Sequence, residues 1–99
     1  MRSFDLTKSA REDLKSIAKF TQERWGARQR NTYLKEIDQV FHALAKNPAM
    51  GRECDEVRDG YRKFPHGSHI IYYSQIDSDL LLIVRILHVA MDLDSQIGA

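Results

Sequence analysis

Cysteine, proline and glycine are all scarce in this 99-residue chain, at one, two and five residues. A single cysteine, Cys54, cannot close an internal disulfide. That excludes the small secreted scaffolds in which bridges replace a core, and a reducing, cytoplasmic setting is expected. So few prolines and glycines also exclude collagen-like and low-complexity linker sequences. No sign of charge dominates, since 15 Lys and Arg stand against 14 Asp and Glu, a net charge of +1. Proteins whose affinity rests on nucleic-acid phosphates carry a clear basic excess, and this one does not. The longest apolar run, Leu80 to Val84, is far short of the roughly 20 residues that span a bilayer. The first eight residues hold two bases and an acid and no apolar run, so no signal peptide is expected. With 42% hydrophobic and 29% charged residues, what is left is one soluble globular domain over 1–99, with no membrane association.

The charge is unevenly spread, with a net +4 over residues 1–50 and −3 over 51–99, and the periodicity changes with it. After a short extended start at Ser3 to Leu6, Ser9-Ala10-Arg11-Glu12 has the spacing of a capping box, which predicts a helix from about residue 9. Ala10, Leu14, Ile17, Ala18, Thr21 and Trp25 then recur along one helical face. Gly26 suits a left-handed end. Leu34, Ile37, Phe41 and Leu44 mark a second helix to about Lys46, closed by Asn47-Pro48. So short a connection makes the helices antiparallel, a hairpin over about 9–46 with a basic outer face.

From Tyr61 the pattern turns to β-branched and aromatic runs, Tyr61 to Phe64, Ser68 to Gln75 and Leu80 to Val89, joined by short turns. These predict an antiparallel meander over about 61–89 and a short tail, 90–99. The fold class expected is therefore α+β, an N-terminal helical hairpin packed on a small antiparallel sheet. The last strand is apolar on both sides, with Leu80, Leu82, Val84 and Ile86 on one and Leu81, Ile83 and Leu87 on the other. One face is expected on the helices and the other under the tail or a partner. Strand alternation puts Arg85 in one rung with Ile71 and Arg62, a pair of guanidinium groups suited to carboxylates or phosphates. The plainer alternative is an ion pair with Asp55, Glu56 or Asp59.

No metal site is expected, because no two of His42, His66, His69 and His88 have the i, i+4 spacing of a helical zinc site and one cysteine cannot supply another kind. His69 and His88 can approach each other across a hairpin, but no nucleophile motif or glycine-rich phosphate loop accompanies them. Trp25 reads as a core anchor ahead of a ligand platform. No catalytic residue and no cofactor are expected.

In order and with compatible spacing, Leu6-Thr7-Lys8-Ser9-Ala10-Arg11-Glu12-Asp13-Leu14, Trp25-Gly26, Tyr33-Leu34, Pro48-Ala49-Met50-Gly51-Arg52, Gly60-Tyr61-Arg62, Gly67-Ser68-His69, Tyr72-Tyr73, Arg85-Ile86-Leu87-His88 and Met91-Asp92 resemble the ParE toxins of the RelE/ParE superfamily. The resemblance implies a toxin of a type II toxin–antitoxin system that inhibits DNA gyrase by protein–protein binding, without catalysis. It implies neutralisation by a ParD-like antitoxin, through which alone DNA is contacted. The expected antitoxin surface comprises Arg62, Ile71, Tyr73, Ile83, Arg85 and Leu87. Two surfaces are candidates for the target: the basic hairpin, with Arg24, Trp25 and Arg28, and the C-terminal stretch, with His88, Met91 and Asp92. The competing expectations are a RelE-type nuclease that cuts messenger RNA on the ribosome, and an inactive module that only binds the antitoxin. The near-neutral charge and the absence of Lys or Arg after Arg85 weigh against the nuclease.

Overall fold

The computed structural model describes residues 3–90. Strand β1 (Ser3–Leu6) leads into helix α1 (Lys8–Trp25), and helix α2 (Ala27–Lys46) follows after one residue. A 3-10 turn (Pro48–Met50) and strand β2 (Arg52–Glu53) precede the meander of β3 (Tyr61–His66), β4 (His69–Gln75) and β5 (Leu80–His88). The meander is antiparallel as expected. The sheet as a whole is five-stranded and mixed, in the order β1-β5-β4-β3-β2, because β1 runs parallel to β5 from Ser3↔Leu80 to Leu6↔Ile83.

The helix starts at a different cap from the one expected. The Thr7 hydroxyl accepts from the Ala10 N–H at 3.0 Å and donates to the Val84 carbonyl at 2.7 Å. Thr7 thereby caps α1 and ties it to β5, and Ser9 already lies inside the helix. At the other end Gly26, at φ 94°, sends its N–H to the Gln22 carbonyl and opens directly into α2. Pro65 continues β3 past the end of β2, where its missing N–H leaves no ladder bond unmade.

One irregularity in β5 decides which residues are core. Tyr72 pairs with Arg85 but Tyr73 pairs with Ile83, so Val84 is an extra residue, a β-bulge. The bulge shifts the alternation by one. Leu81, Ile83 and Ile86 therefore share the helix-facing side, where they meet Ile37, Phe41 and Leu44 of α2 together with Ile71 and Tyr73. Leu87 moves to the opposite face, where it packs with Tyr72 and Cys54. The strict alternation expected for β5 is thus corrected. The second face is closed at that place by Cys54 and Val57; the tail expected to cover it lies outside the described residues from 91 onward. Among the described residues no helix is long and apolar enough to cross a membrane.

Candidate functional site

The bulge also undoes the expected arginine rung. Arg62 pairs with Tyr73, and Arg85 with Tyr72, so the two do not flank Ile71. Arg85 grips Asp13 of α1 with both arms, Nε to Oδ2 at 2.8 Å and Nη2 to Oδ1 at 2.9 Å, and the Ile86 N–H donates to the same Oδ2. This is an internal ion pair, as the plainer alternative held, but its acid is none of the three expected. Its physical reason is the end of β1, after which Asp13 receives an N–H of β5 that has no strand partner. The carboxylate beside it raises the Arg85 pKa, so the guanidinium stays charged.

Arg62 donates to the Gly51 carbonyl at 2.7 Å and to Glu53 at 3.3 Å. The Tyr73 hydroxyl accepts from the Gly51 N–H at 2.8 Å and donates to the Pro48 carbonyl at 2.7 Å. Ile71, Tyr73 and Ile83 are wholly buried in the helix-side core, and Leu87 is buried on the other face. Of the residues expected on the antitoxin surface, the apolar members are packed in the two cores and both arginines make internal bonds.

What the molecule exposes lies elsewhere. Trp25, expected in the core, is 67% exposed and Phe20 is 57% exposed, because the last turn of α1 runs past the edge of the sheet core. The Arg24 guanidinium stacks over both rings, 5.8 and 5.9 Å from their centroids. Beneath this ledge two adjoining cavities of about 230 and 330 Å³ share Phe20, His69 and His88. Ile17, Ile86 and Asp13 line one; Trp25 and Tyr33 line the other. The groove follows α1 from Asp13 to Trp25, about 18 Å at 1.5 Å per residue. Trp25, Arg24 and His88 come together on it, and Arg28 is exposed on the first turn of α2. Met91 and Asp92 lie outside the described residues. Phe20 was not singled out from the sequence. It falls off the apolar stripe of α1, and that position was its available signal.

His69 and His88 are cross-strand partners, as foreseen, with ring centroids 5.6 Å apart and nearly perpendicular. His69 Nδ1 stands 2.7 Å from the Tyr33 hydroxyl, which also reaches the His66 carbonyl at 3.2 Å. Assigning the tyrosine proton to the carbonyl and the Nδ1 proton to His69 satisfies all three groups and leaves His69 Nε2 a bare lone pair. His88 has the opposite tautomer, since its Nδ1 accepts from the Ala90 N–H at 3.1 Å. The groove floor thus offers an acceptor and a donor on neighbouring rings. Among the described residues no three His, Cys, Asp or Glu side chains stand close enough to share a metal ion.

Burial pushes the His69 pKa below its ordinary 6.5, the neighbouring His88 and His66 push the same way, and Asp13 opposes them. A histidine whose folded pKa is lowered binds its proton more readily in the unfolded chain, so folding loses stability as pH falls below about 6.5. Urea unfolding at pH 7.5 and 5.5 is expected to show this loss, reduced in His69→Asn. An equal loss in that variant assigns it to other groups.

These elements define an α+β domain of RelE/ParE-like architecture, two antiparallel helices on one face of a five-stranded mixed sheet. Two solved structures share it: a chain of the chromosomal ParDE toxin–antitoxin system from P. aeruginosa (TM-score 0.74, 19% identity, 90% of this chain and 97% of that one) and a chain of the RelBE2 toxin–antitoxin complex from Mycobacterium tuberculosis (TM-score 0.65, 18% identity, 88% and 96%). The family model described as ParE toxin of type II toxin-antitoxin system, parDE, matches residues 4–93, and the chain belongs to this family. It is 39% identical to Toxin ParE1 of Mycobacterium tuberculosis over 93% of this chain and 94% of that protein. Toxin ParE1 of Caulobacter vibrioides is 31% identical over 99% and 100%.

Proposed function

We propose that this ParE-family toxin acts in the cytoplasm by binding DNA gyrase and blocking its cycle, without catalysis of its own, and that a ParD-like antitoxin holds it inactive and makes the only contact with DNA. The observation that carries the binding reading is the Phe20–Trp25 ledge with Arg24 stacked on it. Two large aromatic rings left in water above an apolar groove are the composition of a protein-binding hot spot. The solved relatives from a ParDE system and a RelBE2 complex support an antitoxin partner. The net charge of +1 supports a protein target over a phosphate backbone.

The purified protein is expected to inhibit gyrase supercoiling and to leave ribosome-bound messenger RNA intact. In Phe20→Ala/Trp25→Ala inhibition is expected to fall at least tenfold while stability changes by no more than about 0.5 kcal/mol, because both rings are exposed. Cleavage of the message without loss of supercoiling would replace the gyrase reading with the nuclease one, and neither effect would leave an inactive antitoxin-binding module.

A further inference from the structure

We infer that the β2 edge of the sheet is a second interaction surface, built to take an extended, acid-bearing segment of a protein partner. Arg52 of β2 and Lys63 of β3 are direct cross-strand partners. Like charges directly opposite each other destabilise a sheet. Neither cation has an ion pair or a side-chain hydrogen bond among the described residues. The nearby acids do not relieve them, since Glu53 turns to Arg62 and Asp55 caps the Gly60 N–H. Glu56 and Asp59, the remaining acids of that loop, pair with neither among the described residues. The rung continues to Tyr72, whose buried hydroxyl also has no partner. Two cations thus stand opposite each other with no carboxylate among the described residues paired to either.

The surroundings specify the shape of what supplies it. Arg52 and Lys63 line a cavity of about 270 Å³ together with Pro65 and Ile70, so two cations border an apolar floor. β2 is the outermost strand on that side. A segment adding to its free edge lies about 4.8 Å away and places one residue in the Arg52 rung. A carboxylate there comes within side-chain reach of both cations, and the residues two positions to either side project onto the same face, one of them toward Pro65. Exposed charge also protects an edge strand from unwanted pairing, but either cation alone would do that, and protection does not call for an apolar cavity between them. A nucleic acid would need repeated cations along its backbone, and the site offers one pair. The chemistry stands whether or not the bearer is the antitoxin proposed above.

The test is an NMR titration of the intact protein with the blocked peptide Thr-Leu-Thr-Glu-Thr-Leu-Thr, in which Leu, Glu and Leu share one face, and with its Gln counterpart. The acidic peptide is expected to shift the amide resonances of Arg52, Glu53, Lys63 and Ile70, with at least tenfold weaker binding for the Gln peptide. Arg52→Glu is expected to abolish the shifts while raising the melting temperature, since it turns a repulsive cross-strand pair into an attractive one; lost binding then cannot be ascribed to unfolding. Equal affinity for the two peptides, or no shift with either, overturns the inference. So does a uridine dodecamer that shifts the same amides at lower concentration.

Discussion

Asp13→Ala is expected to cost about 3 kcal/mol, because it takes from a largely buried guanidinium the carboxylate that it grips with both arms. In a domain of this size that lowers the melting temperature by roughly 12–24 °C. The magnitude follows from what the carboxylate does at once. It accepts two charge-assisted bonds from Arg85 and the backbone N–H of Ile86, with side-chain exposures of only 14% for Asp13 and 20% for Arg85. Arg85→Ala should cost less, since the carboxylate keeps the Ile86 N–H. In the double variant the losses should be clearly less than additive, a coupling read from urea unfolding of all four proteins. A loss under about 1 kcal/mol for Asp13→Ala would mean that the pair behaves as a solvent-screened surface contact.

Gly51→Ala is expected to be nearly as damaging, for a steric reason. At φ −81° and ψ 155° the backbone is open to any residue. The space is not: a Cβ would collide with the Tyr73 hydroxyl, stand 2.7 Å from Tyr73 Cε1 and 2.8 Å from the Lys63 carbonyl oxygen. Tyr73 would have to leave its bonds to Gly51 and Pro48, which together with the clash makes a loss of about 3 kcal/mol. Tyr73→Phe alone should cost about 1–2 kcal/mol for the unsatisfied Gly51 N–H. Adding Gly51→Ala to it should then cost less than in the parent, because the hydroxyl that obstructs the methyl is gone. Thermal denaturation of the three variants checks the order, and a Gly51→Ala protein as stable as the parent would show that the 48–52 segment yields freely.

The helices and the meander were legible because their periodicities are clean: Leu34, Ile37, Phe41 and Leu44 have one reading, and the strand runs are bounded by real turns. The faces of β5 were not. Leu80 to Leu87 is apolar at every position but Arg85, so a bulge at Val84 leaves no mark in the alternation, yet it moves Ile86 into the core and Leu87 out of it. The Arg85 partner was hidden for another reason. Asp13 lies on a helix 72 positions away, and only the early end of β1 brings it to β5. Trp25 fits the apolar stripe of α1 by spacing, but spacing does not say that the sheet stops short of it. Of the candidate target residues, Arg24, Trp25 and His88 are brought to one groove, whereas those expected to meet the antitoxin are packed in the cores or hold internal bonds.

The parallel pairing of β1 with β5 has a consequence for the order in which the molecule can be assembled. Thr7 closes on Val84 across 77 positions, so the first strand and the cap of the first helix wait for β5 to be synthesised. At about 5–20 residues per second the helical hairpin emerges seconds ahead of the strand it must pack on. Contacts of such long range also slow the search for the native state. Ile86 and His88, which wall the aromatic groove, arrive with that same strand. A growing chain therefore lacks the surface proposed to bind its target until β5 has emerged, which makes the topology itself a delay between translation and that binding.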